Sequence, residues 1–175
     1  MNAHIKQELD RYNLLASSIP DLFISTGTCL YIGASTARFQ MGDRLNVNYR
    51  LTIVEPWKAN ADHYRDRGFL VVADDIRNAA LYLAPHDVVM WWQGPEHVPG
   101  HDLKWLIGEL ERLATKYVIL AYPYGEYPQG AHGGNPYEEH VSTLYPDSFP
   151  GYQSVWIGED GGGAKSCVIA WRRMV

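Results

Sequence analysis

The chain is poor in cysteine, in basic residues and in long apolar runs. Its 175 residues hold only two cysteines, Cys29 and Cys167. Each sits inside an apolar segment, which argues for buried free thiols and a reducing compartment rather than a disulfide framework. Lysine and arginine number 15 against 20 acidic residues, a net charge of −5. A surface that neutralises phosphates needs a basic stripe, so nucleic acid is disfavoured as a partner. No apolar run approaches the ~20 residues of a membrane span. Residues Met1 to Asp10 are polar and lack the hydrophobic core of a signal peptide. A cytoplasmic protein that does not engage a membrane is expected. No internal repeat or low-complexity block is present, and the length suits one domain over residues 1–175.

What the chain does have is a globular composition, with 46% hydrophobic and 20% charged residues, and many aromatics, including 6 Trp and 12 Tyr. Ile5, Leu9, Tyr12 and Leu15 fall at helical spacing before Pro20, which predicts a leading amphipathic helix over 1–20. Apolar runs then predict strands at Thr28–Ile32, Tyr49–Val54, Phe69–Ala73, Asp87–Trp92 and Tyr117–Ala121. A short helix through Ala37, Arg38 and Phe39 is expected after the first strand. A second helix is expected over Trp57–Arg67, with Gly68 at its C′ position. A third is expected over about Asp102–Thr115, with Leu103, Leu106, Ile107, Leu110 and Leu113 on one stripe. Strands alternating with helices imply a parallel α/β sheet with right-handed crossovers. Residues 122–140 are rich in Gly, Pro and Tyr and read as a long functional loop. Tyr152–Ile157 and Lys165–Trp171, joined by a glycine-rich link, read as a closing antiparallel hairpin.

Ligands of open α/β sheets bind beyond the carboxyl ends of the strands. Here each such end carries suggestive chemistry. The first opens into Gly33-Ala34-Ser35-Thr36, a small-residue turn that permits close backbone approach. A helix start after it would offer N–H groups to an anionic ligand group. The second ends at Glu55, about 20 residues on, the spacing of an acid that accepts from ribose hydroxyls. The third ends at Asp74-Asp75, where Asp75 could accept from an exocyclic amine or simply cap a helix. The fourth is followed by Gln93, Glu96 and His97. Trp91, Trp92, Tyr122, Tyr124 and Tyr127 fall near the same edge, where about half should wall a ligand and the rest pack in the core.

Taken in order, these segments resemble the class I S-adenosylmethionine (SAM)-dependent methyltransferases. The matching stretches are Cys29-Leu30-Tyr31-Ile32-Gly33-Ala34-Ser35-Thr36-Ala37, Leu51-Thr52-Ile53-Val54-Glu55 and Val71-Val72-Ala73-Asp74-Asp75-Ile76-Arg77. Asp87 to Val98 is similar to the family's fourth strand and the Glu-His-Leu segment after it. Asn135-Pro136-Tyr137-Glu138-Glu139-His140-Val141-Ser142 resembles a segment that follows the fifth strand in small members. The resemblance covers about residues 25–172. It implies a Rossmann-like three-layer sandwich, whose mostly parallel seven-stranded sheet is closed by the C-terminal hairpin. It also implies S-adenosyl-L-methionine as cofactor. Gly33, Ala34, Ser35 and Thr36 would face its methionine part, Glu55 and Pro56 the ribose, Asp75 and Ile76 the adenine, and Gln93 the sulfonium side. The chain departs from the family pattern at Tyr31, usually acidic, and at Ser35 and Ala37, usually glycine.

The implied reaction moves a methyl group to an O or N nucleophile of a small-molecule substrate. His97, past the fourth strand, is the expected base. Tyr122, Tyr124, His132 and His140 are expected on the substrate side. No sizeable cap domain is present, so substrate is held by the leading helix, the 122–140 loop or a second subunit of a homo-oligomer. Glu96, His97, His101 and Asp102 cluster in sequence, as do His132, Glu138, Glu139 and His140. Neither group has a recognised metal-ligand spacing such as His-Glu-x-x-His, so no metal is expected. The alternative reading is a binding or scaffold protein that kept the fold and lost catalysis. A nicotinamide-dependent oxidoreductase is disfavoured by the terminal hairpin and the missing Gly-x-Gly-x-x-Gly.

Overall fold

The structure is a computed structural model that describes residues 3–36 and 39–175, with side chains from residue 6 onward. Helix α1 (Ala3–Ser18) precedes strand β1 (Gly27–Ile32). There follow α2 (Gln40–Leu45), β2 (Tyr49–Val54), α3 (Lys58–Asp66), β3 (Leu70–Val72), α4 (Ile76–Ala79) and β4 (His86–Trp92). The chain ends with α5 (Gly100–Leu113), β5 (Ala114–Tyr122), β6 (Gln153–Ile157) and β7 (Cys167–Arg173). Among the described residues, no helix is long and apolar enough to cross a membrane. Both cysteines are buried and free.

The seven strands form one sheet in the order β3-β2-β1-β4-β5-β7-β6. The first five are parallel; β7 runs antiparallel between β5 and β6. Alternate residues of each strand point to opposite faces. Leu30, Ile32, Val89, Trp91, Val118 and Leu120 pack under α5 and its apolar stripe. Cys29, Tyr31, Leu51, Ile53, Met90 and Trp92 pack with Leu15, Leu45 and Tyr64 on the other face. Burial on both faces explains why the strands read as continuous apolar runs.

Two local features differ from the sequence expectation. Ala37 and Arg38 of the expected short helix lie outside the described residues, and the helix that is seen, α2, begins only at Gln40. Gly33 to Ser35 carry no helical structure, so no helix N-terminus lies at the Gly33 turn. In α2, Gly42 sits against Phe39; a Cβ there would stand 2.3 Å from the ring. Secondly, α5 runs directly into β5, so Ala114 and Thr115 belong to the strand. Gly68, at φ 85°, does close α3.

Candidate functional site

Strand order reverses at β1, which pairs with β2 on one side and β4 on the other. A cleft of about 1270 Å³, its open mouth included, lies beyond the carboxyl ends of these strands. It is the position the topology dictates for a ligand. Gly33 lies on its wall with φ 74°, and nothing would meet a Cβ there within 4 Å. Any side chain at this position would be strained and would project into open space.

Glu55 caps β2 and is only 3% exposed. Burial pushes its carboxyl up to about 7; hydrogen bonds from the Trp57 N–H, the Asn60 side chain and the Ala34 N–H work against that shift. The Trp57 bond is 2.8 Å long. Asp75 caps α4, accepting from the Arg77 N–H at 2.8 Å, and its second oxygen meets the Arg77 guanidinium at 2.7 Å. Burial raises the Asp75 carboxyl, but the Arg77 contacts outweigh it and hold the group below the usual range.

Gln93 follows β4 and is the only non-glycine residue at positive φ among those described, at 54°. Its N–H donates to Ala121 O at 2.8 Å, which holds the bend. Gly94 next to it leaves room for the Trp91 indole; a Cβ would stand 1.9 Å from Trp91 Nε1. A strained non-glycine position on a cleft wall is the kind of backbone feature that clusters at ligand sites. Trp92 also lines the wall, while its Nε1 is buried within the protein without an acceptor.

Of the residues singled out by sequence, Gly33, Ser35, Glu55, Pro56, Asp75, Ile76, Gln93, His97 and His140 all line this cleft. Others lie elsewhere. Ala34 is buried beneath the turn and reaches the site only through its N–H to Glu55. Thr36 is exposed and off the wall. Tyr122 is fully buried, edge-on to Phe149, with its hydroxyl donating to Tyr145 O at 3.1 Å. Tyr124 packs on Tyr145 and Trp156. His132 is exposed on the loop, paired only by a short bridge to Asn135. Of the five aromatics considered, Trp91, Trp92 and Tyr127 line the cleft; Tyr137 joins them from the loop.

The sequence points to the leading helix as a cover or substrate holder without singling out any of its polar residues; Gln7, Glu8 and Arg11 line the cleft. Arg11 Nη1 and Glu8 Oε1 form a 2.5 Å ion pair, 5% and 6% exposed. Gln7 and Arg11 both donate to Ala164 O, tying α1 to the β6–β7 link. Glu8 also stands near Tyr31: its charge, after burial, raises the Tyr31 hydroxyl. Tyr31 itself is turned into the core against Phe39. The available signal was the acid–base spacing Glu8/Arg11 on the face that also carries Leu15.

A mostly parallel seven-stranded sheet with β7 inserted antiparallel, and a cleft at the β1 switch point, define the fold of the class I SAM-dependent methyltransferases. Solved structures of that class superpose on nearly the whole chain. Magnesium protoporphyrin IX methyltransferase (ChlM) from Synechocystis PCC 6803, with bound SAM, matches at 11% identity and TM-score 0.66, over 97% of this chain and 80% of that one. N-methyltransferase NodS from Bradyrhizobium japonicum WM9, in complex with S-adenosyl-L-homocysteine (SAH), matches at 14% identity and TM-score 0.65, over 96% and 87%. The DhpI–SAH complex matches at 10% identity and TM-score 0.65, over 99% and 88%. No protein-family model and no curated protein matches the chain.

Proposed function

We propose that the protein is a methyltransferase that binds S-adenosyl-L-methionine in this cleft and transfers its methyl group to an O or N atom of a small molecule. The observation that carries this reading is the buried Glu55 at the end of β2, beside the left-handed Gly33 turn whose N–H bonds Val54 O on the same cleft wall. A carboxylate there accepts from both ribose hydroxyls. Asp75 and Ile76 take the adenine, by its exocyclic amine and its apolar face. Pro56 lies beside the ribose, and Gln93 beside the sulfonium.

The methionine end needs an acid and a base, and Tyr31 supplies neither. In this reading Glu8 and Arg11 of α1 supply both: Glu8 for the ammonium and Arg11 for the carboxylate, with Ser35 assisting. Methyl transfer is an in-line displacement at an activated carbon, so the protein contributes mainly proximity and alignment. His97, on the cleft wall, promotes loss of the acceptor's proton. The bound cofactor supplies the electrophilic methyl group.

Calorimetry with SAM and SAH tests the cofactor assignment. One site per chain is expected for each. Binding of neither ligand would refute it. For His97, the test is turnover by a His97→Ala protein that still binds SAH; unchanged turnover would remove its role.

A further inference from the structure

The two acid–histidine groups that lie far apart in sequence meet in the fold. Glu96 and His97 sit on a short 3-10 turn after β4, and His140 sits on the loop after β5. Each offers a donor atom within 4.8 Å of the other two, and all three line the cleft. The loop is fastened to the turn by backbone bonds: the N–H groups of Val141 and Ser142 both donate to Glu96 O, at 2.9 and 3.1 Å.

Hydrogen bonding also fixes how the imidazoles face the site. His97 Nδ1 lies 3.0 Å from Glu139 O, and His140 Nδ1 lies 2.6 Å from Tyr127 O. A carbonyl oxygen can only accept, so each Nδ1 carries the proton and donates. In the neutral rings Nε2 is then the lone-pair nitrogen. Metal-ligating histidines are oriented in this way, the second ring nitrogen donating to a backbone carbonyl or carboxylate. The third donor, Glu96, is 3% exposed, and its Oε1 stands 3.8 Å from His97 Nε2.

We propose that Glu96, His97 and His140 form a binding site for a divalent first-row transition cation of the Zn²⁺ type. Two imidazoles and one carboxylate are the donor set of open, catalytic sites, whereas Mg²⁺ and Ca²⁺ favour all-oxygen shells. Bonds of about 2.0–2.2 Å place donors roughly 3–4 Å apart, so the trio closes by about 1 Å through side-chain rotation. Three protein ligands leave a position open to the cleft. This deepens the methyl-transfer reading and rests on it for the chemistry that follows. An acceptor hydroxyl coordinated at the open position loses its proton to solvent water. The oxygen lone pair then forms the bond to the methyl carbon, and the C–S pair returns to sulfur as a neutral thioether. His97 thus serves the acceptor through the ion.

The test uses full-length protein without a histidine tag. Titration with Co²⁺ reads the donor set through its visible d–d bands, and calorimetry with Zn²⁺ reads the stoichiometry. One ion per chain is expected, with Co²⁺ bands of a low-coordinate nitrogen–oxygen site. His140→Gln and Glu96→Gln should each weaken binding at least tenfold, and His101→Ala, on the exposed start of α5, should not. Thermal unfolding of the metal-free variants identifies any that fail to fold, and His97→Gln then provides an independent removal of a donor. Wild-type protein that binds no stoichiometric ion, or binding that survives loss of either histidine, overturns the proposal. Failure of SAM and SAH to bind would refute the methyl-transfer reading and leave this metal result standing.

Discussion

Glu55 sets stability against binding at a single position. Its folded-state carboxyl lies at about 7, above the ordinary 4.5, because burial disfavours the charge. A raised pKa means that its stabilising contribution is full below about 4.5 and is lost as pH rises through 7. The buried carboxylate then costs about 3 kcal/mol at pH 8. Glu55→Gln is therefore expected to raise the unfolding midpoint at pH 8, by up to that energy, and to leave it near wild type at pH 4. The same change should weaken SAH binding, because a carboxamide offers a single acceptor oxygen. In the wild type, ribose hydroxyls favour the ionised form, so affinity for SAH should rise about tenfold between pH 6 and pH 8. Calorimetry in buffers of different ionisation enthalpy should show proton release below pH 7. Gly94 is the second sensitive residue. Gly94→Ala places a methyl group onto the Trp91 indole. It should cost about 1–3 kcal/mol, measured by denaturant unfolding.

Helix α1 is the element whose role the primary structure conceals most. Its apolar stripe announces a cover for a sheet face, and Leu15 does pack on that face. The same buried face closes the cleft with Glu8 and Arg11, nearly out of solvent. Breaking a buried pair leaves one charge uncompensated and costs about 3–5 kcal/mol, whereas replacing both partners by apolar residues is often neutral. Arg11→Ala should therefore destabilise the fold by about that amount. A Glu8→Leu, Arg11→Met double substitution should recover most of the stability. If the pair holds the methionine end of the cofactor, the double variant should still bind SAH at least tenfold more weakly than wild type. Near-normal binding by that stable variant would reduce the pair to a structural one. By contrast, α2 left little trace in the sequence. It is six residues long with Gly42 inside, too short for a periodicity to show, and its glycine is there for Phe39.

At the scale of the whole molecule, a ligand that binds only the folded state stabilises it by mass action. SAH at one hundred times its Kd should add about 2.7 kcal/mol and raise the unfolding midpoint by several degrees. A nicotinamide dinucleotide should give no such shift, which a thermal melt can check.

Sequence alone determined the parts that depend on local pattern. Strands β1, β2, β4 and β5 were legible because burial on both faces demands continuous apolar runs. The shared position of Gly33, Glu55, Asp75 and Gln93 was legible because each lies within three residues of a strand's carboxyl end, and those ends of a parallel sheet share one edge. Tertiary structure alone decided what crosses the chain. Tyr122 turned into the core and Tyr127 into the cleft because strand alternation and loop packing set their faces. His140 reached Glu96 and His97 because backbone bonds pin the loop to the turn after β4. Glu8 came to stand beside Tyr31, where the family pattern has its acid, because α1 packs across that face. Those contacts join residues far apart in the chain, and their partners are fixed by packing rather than by spacing.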